Sequence, residues 1–110
     1  MRDAQRRDQV FLALADERRR RTLSLLADHT ELTLPDLADE VAEREHRTTL
    51  ADIPPEEVCQ LYLELYHRHV PQLESADLVT YSQEQDRVAV TELGQTVERT
   101  LLEPVESILS

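Results

Sequence analysis

Gln60, Glu64, His67 and Arg68 stand within nine residues of one another, at spacings that gather them with Glu57 into one polar wedge on a helix. Their chemistry is recognition. The Gln60 amide and the Arg68 guanidinium are the fork-shaped groups that read base edges in a DNA groove. Glu57 and Glu64 make the same face a poor one for phosphates, and His67 adds at most a part charge. Two further arginines extend the candidate surface. Arg87 follows the tip of an expected hairpin. Arg47 follows the second expected helix, and a positive surface joining Arg47, Arg68 and Arg87 would mark a DNA reader. Without it, with Glu57 and Glu64 dominating the helix face, the better reading is a surface for another protein.

The other chemical candidates have plainer explanations. Arg18 to Arg21 form an unbroken basic run, but four consecutive helical residues point four ways, and pairing with nearby carboxylates accounts for them. His67 and His69 diverge by about 200° on a helix and do not chelate one ion, so His69 is expected to face the core. Cys59 stands among apolar neighbours and reads as a small core residue. It is the one cysteine, which excludes an internal disulfide and any multi-cysteine metal site. Gly94 is the one glycine, so there is no glycine-rich phosphate loop. Neither an HExxH pattern nor a nucleophile elbow is present. We therefore expect no catalytic residues, no metal and no cofactor, and the chain does not read as an enzyme.

Four helices and one hairpin are needed to position these side chains. Val10, Phe11, Leu14, Leu23, Leu25 and Leu26 lie on a broad stripe that predicts a first helix over 7–28. The stretch "LTLPDLADEVAERE" carries its own start: Thr33 as N-cap, Asp36 three residues on, and Pro35 in the first turn. Leu34, Leu37, Ala38 and Val41 form the buried face of this second helix, over 34–45. The aperiodic "HRTTLADIPP" reads as a loop. Pro54 and Pro55 open a third helix over 55–75, with Glu56 and Glu57 in its first turn, and Pro71 is expected to bend or relax its end. "LVTYS" and "RVAVT" flank the polar tip Gln83 to Asp86, which predicts strands over 78–82 and 87–91. Thr91 then caps a fourth helix over 91–109, in which Pro104 should make a kink.

The chain of 110 residues holds 23 acidic and 12 basic side chains, every basic one an arginine, for a net charge of -11. Hydrophobic residues make up 40% of it, enough for one core and too evenly spread for disorder. An acidic surface without lysine stems suits a salt-adapted proteome. The Debye length falls to about 3 Å at 1 M salt, so such a charge repels a phosphate backbone only at contact range. No apolar run approaches the roughly 20 residues of a membrane span, and no apolar segment follows the charged N-terminus as in a secretory signal. The expected location is the cytoplasm.

Three helices, a hairpin and a closing helix, mainly α with a small β-hairpin, make the order of a winged helix-turn-helix with a three-helix core, two-stranded wing and C-terminal helix. The residues add to that order. "ALADERRRRTLSLLAD" resembles the first core helix of ArsR-type regulators, with their "AL.D..R..IL.LL" pattern. "LTLPDLADEV" resembles their second helix, "RHVPQLESADLV" the "RHL..L..AGLV" that ends the recognition helix, and "VTELG" the "LT..G" after the wing. The match covers roughly residues 10–98 and is similar to the ArsR-like domains of halophilic archaea. Asp77 replaces the family's usual glycine, and the link from second to third helix is much longer than a tight helix-turn-helix turn.

The resemblance implies one winged-helix domain over 1–110, with a core over about 8–91 and a closing helix over about 91–109. It implies a transcriptional regulator that binds DNA as a homodimer. Gln60, Glu64, His67, Arg68, Arg87 and Arg47 are then the DNA-facing candidates. Leu93, Val97, Leu101, Leu102, Val105, Ile108 and Leu109 form a stripe on the fourth helix long enough to serve as a dimer interface, with the first helix alongside. The alternative is a winged-helix module that binds another protein, without sequence-specific DNA binding. Neither reading involves a membrane.

Overall fold

The computed structural model describes residues 3–109, so the two ends of the expected 1–110 domain lie outside the described residues. It is mainly helical with a small three-stranded antiparallel sheet. Helices α1 (Asp3–Leu14) and α2 (Glu17–His29) lead into strand β1 (Glu31–Thr33) and helix α3 (Leu34–His46). A 3-10 turn over Leu50–Asp52 precedes one long helix built from α4 (Pro55–Glu64), a π turn (Leu65–His69) and α5 (Val70–Ser75). The hairpin β2 (Val79–Ser82) and β3 (Arg87–Val90) follows, and a last helix runs through α6 (Glu92–Val97), a π turn (Glu98–Leu102) and α7 (Glu103–Leu109).

The expected single helix over 7–28 is two helices. Asp16 breaks it by leaving helical geometry, with φ -109° and ψ 130°, and accepting the Arg19 amide on its side chain. That is an N-cap followed by an acidic first turn, a signal that the longer apolar stripe obscured. The break leaves carbonyls at the end of α1 without helical partners. Arg19 and Arg20 supply them: Arg19 donates to Ala13 O at 2.6 Å and to Leu12 O at 3.3 Å, and Arg20 to Leu14 O at 2.7 Å. These two arginines are therefore helix caps, not the ion-paired surface groups that the run of four suggested. Phe11, expected on the core stripe, is exposed on α1.

The second helix starts as its sequence dictates, with Thr33 Oγ1 accepting the Asp36 amide at 3.2 Å. Strand β1, between the first and second expected helices, is an addition. It is three residues long and pairs with β3 through Glu31 to Ala89, Leu32 to Val88 and Thr33 to Arg87, so the sheet order is β1-β3-β2. A three-residue run shows no alternation to read, and only the partner strand makes it a strand.

Both internal prolines are absorbed in the same way. Pro71 has no amide hydrogen and its ring crowds the preceding turn, so the backbone widens and Val70 N–H reaches back to Leu65 O. Before Pro104, Glu103 N–H reaches back to Glu98 O. The expected bends are thus π turns inside continuous helices.

The buried apolar side chains form one continuous cluster around α2, in which Leu23, Leu26, Leu34, Leu37, Leu65, Leu73 and Leu78 are each fully buried. At roughly 1.5–3 kcal/mol for each such side chain, this cluster is the main source of stability. Where β2 meets α6 the backbones nearly touch. A Cβ on Gly94 would overlap the Leu78 carbonyl and the Val90 methyl, so only glycine fits. Asp77 takes a left-handed φ of 61°, and Thr91 Oγ1 donates to its carbonyl at 2.6 Å.

Candidate nucleic-acid interface

The face of the α4–α5 helix is built from Gln60, Glu64, His67 and Arg68, with its outermost line formed by Glu56, Cys59, Leu63 and His67, all exposed. Cys59 lies on this outer line and not in the core. The apolar neighbours that suggested burial belong to a helix that packs on two sides, and Cys59 falls between them. Gln60 is exposed beside Glu57, whose Oε2 lies 3.0 Å from His46 Nε2. His67 is exposed and meets the Tyr66 ring edge-on at 4.8 Å, and Tyr66 meets Tyr81 of β2 at 6.0 Å. That aromatic row ties the helix to the hairpin. Tyr81 donates its hydroxyl to Asp86 Oδ1 at 2.6 Å, a bond to a carboxylate that raises the phenol pKa. Asp86 holds a left-handed φ of 51° at the hairpin tip, and its carbonyl accepts the Leu34 amide that opens α3.

Glu64 is not a free acid. Arg18 donates from Nη1 to Glu64 Oε2 at 2.5 Å and grips Glu45 through Nε and Nη2 at 2.6 and 2.8 Å. This fork across three helices keeps the Glu45 carboxyl below the usual carboxylate range, chiefly through the Arg18 hydrogen bonds and against the opposing effect of burial. Arg21 adds a second contact to Glu45 at 3.6 Å. His69 faces the core as expected and is 2% exposed. Its Nδ1 lies 3.3 Å from Arg19 Nη1. Burial holds the ring pKa down, and Arg19, Arg18 and Arg68 reinforce this against Asp16. A neutral ring beside an obligate guanidinium donor carries its lone pair on Nδ1 and its proton on Nε2.

Arg47 and Arg68 come together and Arg87 stays apart. Arg47 caps the C-terminus of α3 in left-handed geometry, with φ 53° and ψ 41°. It lines a cleft shared with Arg68 and with Arg44, a residue the sequence reading did not single out. Arg44 lies three residues before Arg47 in the last turn of α3, which is the signal that could have found it. Arg87 pairs in register with Thr33 at the other end of α3, roughly 20 Å of helix away, and its Nη1 is 3.5 Å from Glu31 Oε1. A continuous positive surface joining Arg47, Arg68 and Arg87 is therefore not formed, but Glu57 and Glu64 do not dominate the helix face either, because Glu64 is half-buried on Arg18 and Glu57 sits against His46.

The last helix divides its stripe. Val97 and Leu102 are buried against the chain's own core and face inward, and Leu93 is half-buried at the edge of the groove beside Phe11. Leu101, Val105, Ile108 and Leu109 are 40%, 53%, 81% and 80% exposed. Phe11, 62% exposed on α1, lines one groove with Leu93, Val97 and Leu101 that joins the two helices, while Val105 and Leu109 line a second cleft beside Arg20, Arg21 and Arg44.

Among the described residues, no group of three or more His, Cys, Asp or Glu is placed to hold a metal ion, and no helix is long and apolar enough to cross a membrane. A family model described as Domain of unknown function (DUF7344) matches residues 11–89. No curated protein and no solved structure matches the chain.

Proposed function

The chain belongs to the DUF7344 family of domains, and we propose that it is a DNA-binding transcriptional regulator, a homodimer built on a winged helix-turn-helix of ArsR-like type. The observation that carries this reading is the order of elements. Helices α2, α3 and α4–α5 enclose one core, the β2–β3 hairpin follows directly as a wing, β1 closes the sheet on β3, and a long helix ends the fold. In this reading α4–α5 is the recognition helix, offering Gln60 and His67 to base edges, while the wing carries Arg87. The apolar face of α1 and α6–α7 joins two copies, and a two-fold pair sets two recognition helices for successive major grooves. The protein works in the cytoplasm of a salt-adapted cell, where screening lets an acidic chain approach DNA.

The test is capture of genomic fragments by the purified protein at about 2 M KCl, a salt level at which charge is screened beyond contact range. Retention of a defined subset that footprints to paired half-sites is the expected result. Uniform weak retention, or none, removes the reading.

A second reading is favoured by one observation: the outermost line of α4–α5, Glu56, Cys59, Leu63 and His67, carries no arginine. A winged-helix module that binds another protein would present such a face, with exposed Leu63 at its centre. It has no enzymatic step and needs no cofactor.

A further inference from the structure

Five arginines and four carboxylates line a polar cleft of about 510 Å³ where the start of α2, the end of α3 and the middle of the α4–α5 helix meet. Their charges are not equally available. Asp16 accepts the Arg19 amide at 3.1 Å. Glu17 pairs with Arg21 at 3.1 Å, and Glu45 and Glu64 both hold Arg18. Every carboxylate in the cleft thus has a partner within the protein, and two of the five arginines are used in providing them.

The side chains of the remaining three, Arg44, Arg47 and Arg68, are exposed and make no hydrogen bond or ion pair among the described residues. In a chain with 23 acidic side chains for 12 basic ones, unpaired arginines are not the result of a shortage of carboxylates. Arg44 and Arg47 share the end of α3, and Arg68 faces them from the π turn that Pro71 imposes. Three uncommitted guanidinium forks around one opening repel each other, and an oxyanion relieves that repulsion with bidentate hydrogen bonds. The C-terminus of α3 contributes partial negative charge that opposes any anion, so binding rests on the three forks acting together, which an oxyanion with several acceptor oxygens can engage at once.

We propose that this cleft is a phosphate-binding site in which Arg44, Arg47 and Arg68 hold the oxyanion and the Arg18–Glu45–Glu64 fork fixes the helices behind them. The site goes beyond the DNA-binding reading, because the phosphate comes either from a nucleic-acid backbone or from a free phosphorylated small molecule. In the first case Arg47 and Arg68 are phosphate holders, not base readers, and Arg44 joins them.

Calorimetric titration of the full chain with inorganic pyrophosphate tests the site without DNA. One saturable site per chain is expected. Arg44→Gln/Arg68→Gln should weaken it roughly tenfold or more, and Arg44→Lys/Arg68→Lys, which keeps charge but loses the fork, by a smaller factor. Arg99→Gln, exposed on the last helix, should leave it unchanged. The substituted side chains make no hydrogen bond or ion pair within the protein, and circular dichroism verifies that the variants are folded. A short duplex that displaces pyrophosphate, with a salt slope that falls by about one for each arginine removed, identifies the backbone as the source. Pyrophosphate uptake that a duplex leaves unaffected identifies a free phosphorylated ligand, and stands even if the protein never binds DNA. No saturable uptake by the native protein, or the same affinity in the folded Gln variant, overturns the site.

Discussion

Changing Leu101 and Val105 to Glu should convert the protein from dimer to monomer without unfolding it. The five side chains Phe11, Leu101, Val105, Ile108 and Leu109 are 62%, 40%, 53%, 81% and 80% exposed. Together they leave the equivalent of about three whole side chains uncovered on each copy, and a two-fold pair covers about six, a gross gain of roughly 9–18 kcal/mol. Association costs about 4–15 kcal/mol in lost freedom. With half-buried Leu93 contributing, on the order of 6 kcal/mol remains, a dissociation constant of tens of micromolar. Leu101 and Val105 supply about one side-chain equivalent per copy, so their loss removes about 3–6 kcal/mol and weakens the dimer a hundredfold or more. Because both are already half in water, the core around Leu102 and Val97 should keep its helicity. Light scattering behind size exclusion, over about 1 to 200 µM and in high salt, follows the equilibrium by mass action. A native protein that is monomeric at the upper end, or a double variant that still dimerises, refutes the reasoning.

Three further outcomes are expected. The melting temperature should rise between about 0.1 M and 2 M KCl, because screening relieves repulsion among the surplus carboxylates; a flat or falling profile removes the salt-adapted reading. Gly94→Ala should lower stability by about 1–3 kcal/mol in denaturant titration, since its Cβ would overlap the Leu78 carbonyl and Val90; an unchanged midpoint would mean that the β2–α6 junction yields at no cost. Glu98→Gln should stabilise the protein at neutral pH. Burial, with Glu103, Asp28 and Glu106 nearby, holds the Glu98 pKa above its unfolded value, so ionisation opposes folding and the advantage of Gln should shrink as pH falls through that raised pKa and vanish near pH 4, roughly the unfolded carboxylate value. An advantage that persists in acid would show that charge is not its cause.

Much of the fold was legible in the order of residues. The Thr33 and Thr91 caps, the proline pair opening α4 and the hairpin tip all came out as read, because each is settled by groups within about four residues of one another. The break at Asp16 was legible too, but the apolar stripe running through it masked an N-cap. Pro71 and Pro104 announced a disturbance; that it takes the form of π turns depends on the helices continuing to pack on both sides. Strand β1 had no signal of its own.

The candidate site was less legible than the elements that carry it. Sequence by itself placed Gln60, Glu64, His67 and Arg68 on one helix, and put an unbroken arginine run and an apolar stripe where they are. Only tertiary structure decided that Glu64 is spent on Arg18, that Arg19 and Arg20 cap α1, and that Val97 and Leu102 turn inward while Leu101 and Val105 turn out. It also brought Arg44, Arg47 and Arg68 to one cleft and left Arg87 near the far end of α3. Helical periodicity is a property of the backbone and extends a few residues, whereas the partner of a charge is whatever folding brings within about 4 Å, and in a chain this rich in both signs that choice is made across elements dozens of residues apart.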